Sequence, residues 1–176
     1  FQRHETRSAC EDCAAGHYAT TPAATACVAC TKGNIQPLKG QERCDTVCDP
    51  GHTTTDIGAT VCVACARGRS AMSPQAGCVD CAAGHYAERA AQTTCTLCEA
   101  GKYQNEPGKS TCKVCDAGHA QPLAAAHDCA TQCAAETWQD QPGHATCKAM
   151  SKCGAPEWEV RDGTTTSNRA CASHSS

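Results

Sequence analysis

Residues 78–115, CVDCAAGHYAERAAQTTCTLCEAGKYQNEPGKSTCKVC, state the rule by which the chain is written. Two cysteines lie two residues apart, a glycine follows the second at +3, and a run of small and polar residues leads to the next pair. The unit spans 17 residues, from Cys81 to Cys98 and again from Cys98 to Cys115. It recurs almost without interruption from Cys10 to Cys147, so internal repetition is the first feature to interpret.

Composition says what must hold such a chain together. Of 176 residues only 13 are Leu, Ile, Val or Phe, with three Tyr, two Trp and two Met besides. Burying a large aliphatic side chain stabilises by roughly 1.5–3 kcal/mol, while ordering one residue costs about 1–2 kcal/mol. No continuous apolar core can be built from this set, and the 19 cysteines are the remaining constraint. A disulfide closing a loop of about 15 residues contributes roughly 3 kcal/mol in the chain-entropy picture. Bridges in that number persist in an oxidising compartment, which predicts an extracellular, secreted or cell-surface protein.

The chain starts at Phe1 and shows neither a charged start followed by an apolar run nor any apolar stretch near 18 residues. It reads as a segment of a longer secreted or anchored protein, with no membrane span in this segment. A formal charge of -3 and the absence of like-charge blocks argue against nucleic acid or an anionic membrane as partner.

After a polar lead-in, residues 1–9, the cysteines admit two pairings. In one, each second cysteine of a pair closes its own loop: Cys13–Cys27, Cys30–Cys44, Cys48–Cys62, Cys65–Cys78, Cys81–Cys95, Cys98–Cys112, Cys115–Cys129, Cys133–Cys147 and Cys153–Cys171, with Cys10 bridged to an upstream partner. In the other, alternate cysteines join, Cys10 to Cys27 and Cys13 to Cys30, giving two-bridge modules of 34 residues. Counting favours the first, because the second strands one of the last three cysteines; spacing alone does not fix pairing.

Gly16, Gly33, Gly51, Gly68, Gly84, Gly101 and Gly118 all stand at +3 from an opening cysteine, a backbone role that calls for positive φ or close approach. Gly40, Gly58, Gly108 and Gly143 lie four before a closing cysteine and suggest a hairpin-like return. Position +5 carries Tyr18, Ile35, Tyr86, Tyr103, Trp138 and Trp158 among smaller residues, expected to cover the local disulfide. No segment has helical periodicity. The predicted fold is a small disulfide-rich one: an elongated rod of tandem disulfide-closed loops of about 17 residues, with short irregular β-hairpins, little or no helix, and loops touching only their neighbours.

Chemistry has few handholds. The spacing C-x2-C-x13-C-x2-C also suits four thiolates on a tetrahedral zinc, but here the pattern runs on without a break between sets of four. A redox C-x-x-C needs a strand-to-helix scaffold that the sequence lacks. His17, His52, His85 and His119 share position +4 in every second loop, with Asn34, Arg69, Lys102 and Thr137 in the loops between. They would line one face of a rod as a pH-responsive or metal-binding row, or simply occupy a solvated position. No triad or recurring acidic pair is present, so no enzyme, metal or cofactor is predicted. Thr53, Thr54, Thr55, Thr164, Thr165 and Thr166 are candidates for O-linked sugars; no N-x-S/T sequon occurs. Trp138, Trp158 and Arg161 are the one concentration of residues suited to a protein hot spot.

Runs such as CAAGHYAERAAQTTCTLCEAGKYQNEPGKSTCKVC resemble the ephrin-receptor-like cysteine-rich repeats found in tandem in large extracellular proteins, algal and protist ones included. That likeness covers Cys10 to Cys147, repeats 10–147. Residues 153–171, CGAPEWEVRDGTTTSNRAC, look more like a tumour-necrosis-factor-receptor cysteine-rich module, setting apart a divergent terminal loop and tail, 148–176. The interlocked second pair of bridges of that module is not recognisable upstream. The resemblance implies an extracellular structural or assembly module of a fibre, a flagellar hair of the mastigoneme type or a cell-surface coat, with protein partners, self-association and O-linked glycans. The alternative it implies is a ligand-binding segment of a receptor or adhesion protein.

Overall fold

The computed structural model describes residues 12–21 and 24–173; Cys10 and the lead-in residues 1–9 lie outside them. The described residues fall into two compact units. One takes in those through Ala66 with Ser70–Val79 and Ala90–Thr93, the other Arg67–Arg69, Asp80–Arg89 and those from Thr94 on.

Nine disulfides among the described residues close successive loops, numbered 1 to 9: Cys13–Cys27, Cys30–Cys44, Cys48–Cys62, Cys65–Cys78, Cys81–Cys95, Cys98–Cys112, Cys115–Cys129, Cys133–Cys147 and Cys153–Cys171. Each loop but the seventh contains half of a two-stranded sheet. Its residues at +4 and +5 pair with the linker beyond its closing cysteine, as in His17↔Ala29 and Tyr18↔Val28, or Lys102↔Val114 and Tyr103↔Lys113. Loop 7 keeps only a single bridge, His119↔Gln132. No helix occurs among the described residues.

What the rings stack on is backbone. In the first unit the Gly16 N–H donates to the Gln36 carbonyl (2.7 Å), and the Gly51 N–H donates to that of Ala71 (2.8 Å). In the second, Gly68, Gly84, Gly101 and Gly118 donate in the same way to Ala87, Gln104, Gln121 and Gln139. Each bond runs from +3 of one loop to +6 of the next. The +6 N–H then donates onward, as from Gln104 to Ala126 (3.1 Å), and the residue four before the closing cysteine donates back to the preceding opening cysteine, as from Gly108 to Cys81 (2.8 Å). These bonds satisfy backbone groups that would be costly to bury unpaired.

The core follows from that spine. The opening cysteines of loops 1 to 8 are buried, together with the +3 glycines and the +6 residues Gln36, Thr54, Ala71, Ala87, Gln104, Gln121 and Gln139, while Cys153 of loop 9 is half-buried. Leu, Ile and Val stay outside, with Ile57, Met72 and Leu123 each about two-thirds exposed or more. The aromatic residues at +5 are half-buried, except Trp158, which is exposed.

Loops touch more than their neighbours, contrary to the expectation from the repeat. A Cβ added at Gly84 would coincide with the carbonyl oxygen of Ala125, two loops on; Gly16 meets Gly58, Gly68 meets Gly108 and Gly101 meets Gly143 in the same way. The glycine is therefore required by a backbone two rings away as well as by its own φ of +80°. The residue that supplies this carbonyl also has positive φ. It is glycine in most loops, but Ala91 (φ 61°) and Ala125 (φ 58°) hold the same left-handed conformation.

Four loops use glutamine at +6 as an internal staple. Gln104 donates from Nε2 to the Thr111 carbonyl (2.7 Å) and accepts the Glu106 N–H at Oε1 (3.1 Å). Gln36, Gln121 and Gln139 repeat both bonds in their own loops. Both the nitrogen and the oxygen of the side chain have a backbone partner, which offsets much of the desolvation penalty of burying it.

Two predictions follow from this packing. Gly84→Ala should lower stability by about 2–4 kcal/mol, combining left-handed strain with displacement of the Ala125 carbonyl. Gly77→Ala, at φ +79° with nothing within 4 Å of the added methyl, should cost only about 1 kcal/mol. Denaturant unfolding under oxidising conditions compares the two; equal losses would sink the two-ring contact. Gln104→Leu leaves the Thr111 carbonyl and Glu106 N–H unpaired and should cost about 1–3 kcal/mol, with faster amide exchange at Glu106.

Candidate functional site

The four +4 histidines open their strands or bridge and are half-buried. Their rings turn back on their own turns. His85 Nδ1 lies 3.1 Å from the Ala83 carbonyl and His17 Nδ1 3.4 Å from that of Ala15, whereas Nδ1 of His52 and of His119 is enclosed without a hydrogen-bond partner. No group of three or more His, Cys, Asp or Glu is placed to hold a metal ion among the described residues.

Loop 7 departs from its neighbours. Small, buried Ala120 stands at +5 where loops 6 and 8 have Tyr103 and Trp138. Here a shallow cleft of about 270 Å³ is lined by Tyr103, Asn105, Asp116, His119, Asp128 and the Cys129 bridge. Two carboxylates, an amide, an imidazole and a tyrosine line it, side chains whose polar groups can hydrogen-bond a small polar or cationic group.

The aromatic residues singled out by sequence differ in availability. Trp138 is half-buried, with the Lys148 ammonium 4.8 Å from its ring centre, and Lys148 also pairs with Asp140 at 2.8 Å. That ammonium holds the Asp140 carboxyl below the usual carboxylate range. Trp158 and Arg161 lie on the strand Glu157–Arg161, every residue of which is exposed, paired to Ala170–Ser173.

Just before the partner strand stands a residue whose pairing the sequence did not reveal. Arg169, only 19% exposed in its side chain, places Nη2 2.8 Å from Glu136 and Nε 3.2 Å from Glu159. The second contact is an ion pair without hydrogen-bond alignment, since Nε has no hydrogen-bond partner. Glu136 chiefly, then Glu159, hold the guanidinium above its ordinary pKa. The Glu159 carboxyl is pushed up instead, mainly by its hydrogen bond with Asp162. Elsewhere Lys109 and then Lys113 pull the Glu106 carboxyl down. Such exposed pairs stabilise little.

The threonines sort by burial. Thr54 is a core residue, 3% exposed, whose hydroxyl accepts the Gly33 N–H (3.1 Å), and the Thr53 hydroxyl donates to the Pro74 carbonyl (2.7 Å). Both hydroxyls are built into contacts between loops. Thr55, Thr164 and Thr166 are exposed and Thr165 is half-buried; the Thr164 hydroxyl is bonded to that of Ser167 (2.8 Å).

Residues 84–130 match the family model described as tyrosine-protein kinase ephrin type A/B receptor-like, spanning the end of the turn of loop 5 through loop 7. Residues 133–171 match the model of the TNFR/NGFR cysteine-rich region, taking in loops 8 and 9 from first to last cysteine. No curated protein matches the chain. The stapled loops and these two stretches of likeness to receptor cysteine-rich repeats together mark an extracellular or cell-surface module.

Proposed function

We propose that the chain is an extracellular structural and assembly module, a disulfide-stapled repeat array contributing to a fibre, a flagellar hair or a cell-surface coat. One observation carries this reading. The buried polar side chains of the interior, Gln36, Thr54, Gln104, Gln121 and Gln139, are all bonded to backbone, so the interior is devoted to holding loops in register. Charges lie outside in pairs, and large apolar groups are scattered singly over the surface. Such a surface suits many weak lateral contacts between copies or coat subunits. Residues 10–147 act as the array and 148–176 as its terminal element, with sugars on Thr55, Thr164 or Thr166.

A second reading has its own support. The TNFR/NGFR-like stretch contains the exposed strand carrying Trp158 and Arg161, the residue types that anchor protein interfaces. On this reading the chain is a ligand-binding segment of a receptor or adhesion protein.

Sedimentation velocity over a wide concentration range separates the two. The structural reading expects self-association that Ile57→Ser, Met72→Ser and Leu123→Ser together weaken at least about 10-fold, with an unchanged unfolding midpoint, and that Trp158→Ala with Arg161→Ala leaves intact. A chain that stays monomeric throughout, yet captures a soluble protein only while Trp158 and Arg161 are present, would replace it by the second reading.

A further inference from the structure

We infer that loops 8 and 9, residues 133–171, form a cap that accepts the backbone spine of the array and does not pass it on to a following loop of the same design. Three departures from the repeat carry this, each at a position the spine uses.

The first is Glu136. In loops 1 and 3 to 6 the space at a +3 Cβ is filled by a carbonyl from two loops on, and in loop 2 the Pro74–Gln75 peptide takes that place. Loop 8 has Glu136 at +3, holding the same left-handed backbone at φ 63° but with a side chain attached. Its Cβ occupies the seat a tenth loop would need, and its carboxylate is tied to Arg169 of loop 9.

The second is Pro156, the +3 residue of loop 9. In loops 1 to 7 the +3 N–H donates forward to residue +6 of the next loop, through the carbonyl in six and the Thr54 hydroxyl in one. Proline has no N–H, so loop 9 has no such bond to give.

The third is Ser167, four before the last cysteine. Its counterparts Gly40, Gly58, Ala91, Gly108, Ala125 and Gly143 donate back to an opening cysteine, whereas the Ser167 N–H turns to Thr164 within its own loop (3.3 Å). Loop 9 still docks on loop 8, because the Gln139 N–H reaches the Thr165 carbonyl (2.9 Å). Loop 9 therefore holds loop 8 by fewer bonds than its counterparts hold theirs, and at Pro156 it has no forward N–H to give.

The test fuses a copy of residues 98–114 after Ser173, so that Ala172 and Ser173 act as the two-residue linker used elsewhere in the chain. Non-reducing peptide mapping first establishes that the copy has closed its own ring. Amide exchange, read by NMR, then compares the copied Gly108 with the native Gly108 of the same molecule, whose N–H is held by Cys81. The cap predicts exchange at least about 100-fold faster in the copy. Exchange within a few-fold of the native amide would show that loop 9 does pass the spine on, and would overturn the inference. Because the comparison is internal, it is independent of whether the chain assembles laterally or binds a ligand.

Discussion

The structure depends on one close approach: the backbone of a +3 glycine lying against a carbonyl two rings away while its N–H bonds the ring between. The disulfides close the rings, but a closed ring of 14 steps has no reason to stack. Stacking comes from amide-to-carbonyl bonds between consecutive loops, and those bonds reach normal length only where no side chain separates the strands of chain. A methyl group at Gly84 would break the contact as surely as loss of a cysteine would open a ring.

That requirement explains a composition that looked deficient. A spine made from backbone needs neighbours that are small or that satisfy backbone groups, and the buried +6 positions hold Ala, Thr and Gln. Burial of Ala contributes little hydrophobic free energy, and a paired Gln contributes mainly by avoiding orphaned amides. Bridges supply what burial does not, by restricting the unfolded chain. Valine and leucine in the linkers between cysteines face solvent because nothing in this architecture needs them inside; Val47, Val63, Val79 and Leu97 are each about half exposed.

Much of this was legible in the sequence, and the rest was hidden for identifiable reasons. The paired cysteines announced tandem rings, and the recurrence of glycine at +3 and at four before closure announced backbone roles. The two-ring contact left no mark of its own, because the partner of Gly84 is a carbonyl, which every residue has. Ala91 and Ala125 concealed left-handed turns that glycine elsewhere made plain. The glutamines at +6 resembled ordinary surface polar residues, and only their shared offset in loops 2, 6, 7 and 8 could have betrayed them. Thr54 misled in the opposite sense: its run of threonines suggested an exposed sugar acceptor, yet it fills the +6 core position. Arg169 was treated as part of a terminal motif, since pairing with Glu136, 33 residues away, is invisible to local reading.

The division of labour within each loop also says where recognition has room to evolve. Positions +3, +6 and four before closure are held by neighbouring rings, and the opening cysteine is buried. The +4 residue varies among His, Asn, Lys and Thr and the +5 residue among Tyr, Ile, Thr and Trp with the strand register kept, and only loop 7, with Ala120 at +5, reduces the pairing to a single bridge. Even the spine tolerates revision: loop 4 is one residue shorter and has Pro74 where others donate an N–H, and the Thr53 hydroxyl takes up the carbonyl instead. A scaffold whose fixed elements are backbone leaves its side chains free to differ from loop to loop. One rigid pattern can therefore carry a cleft at loop 7, an aromatic–lysine stack at loop 8 and an exposed strand at loop 9 without any of them disturbing the stack beneath.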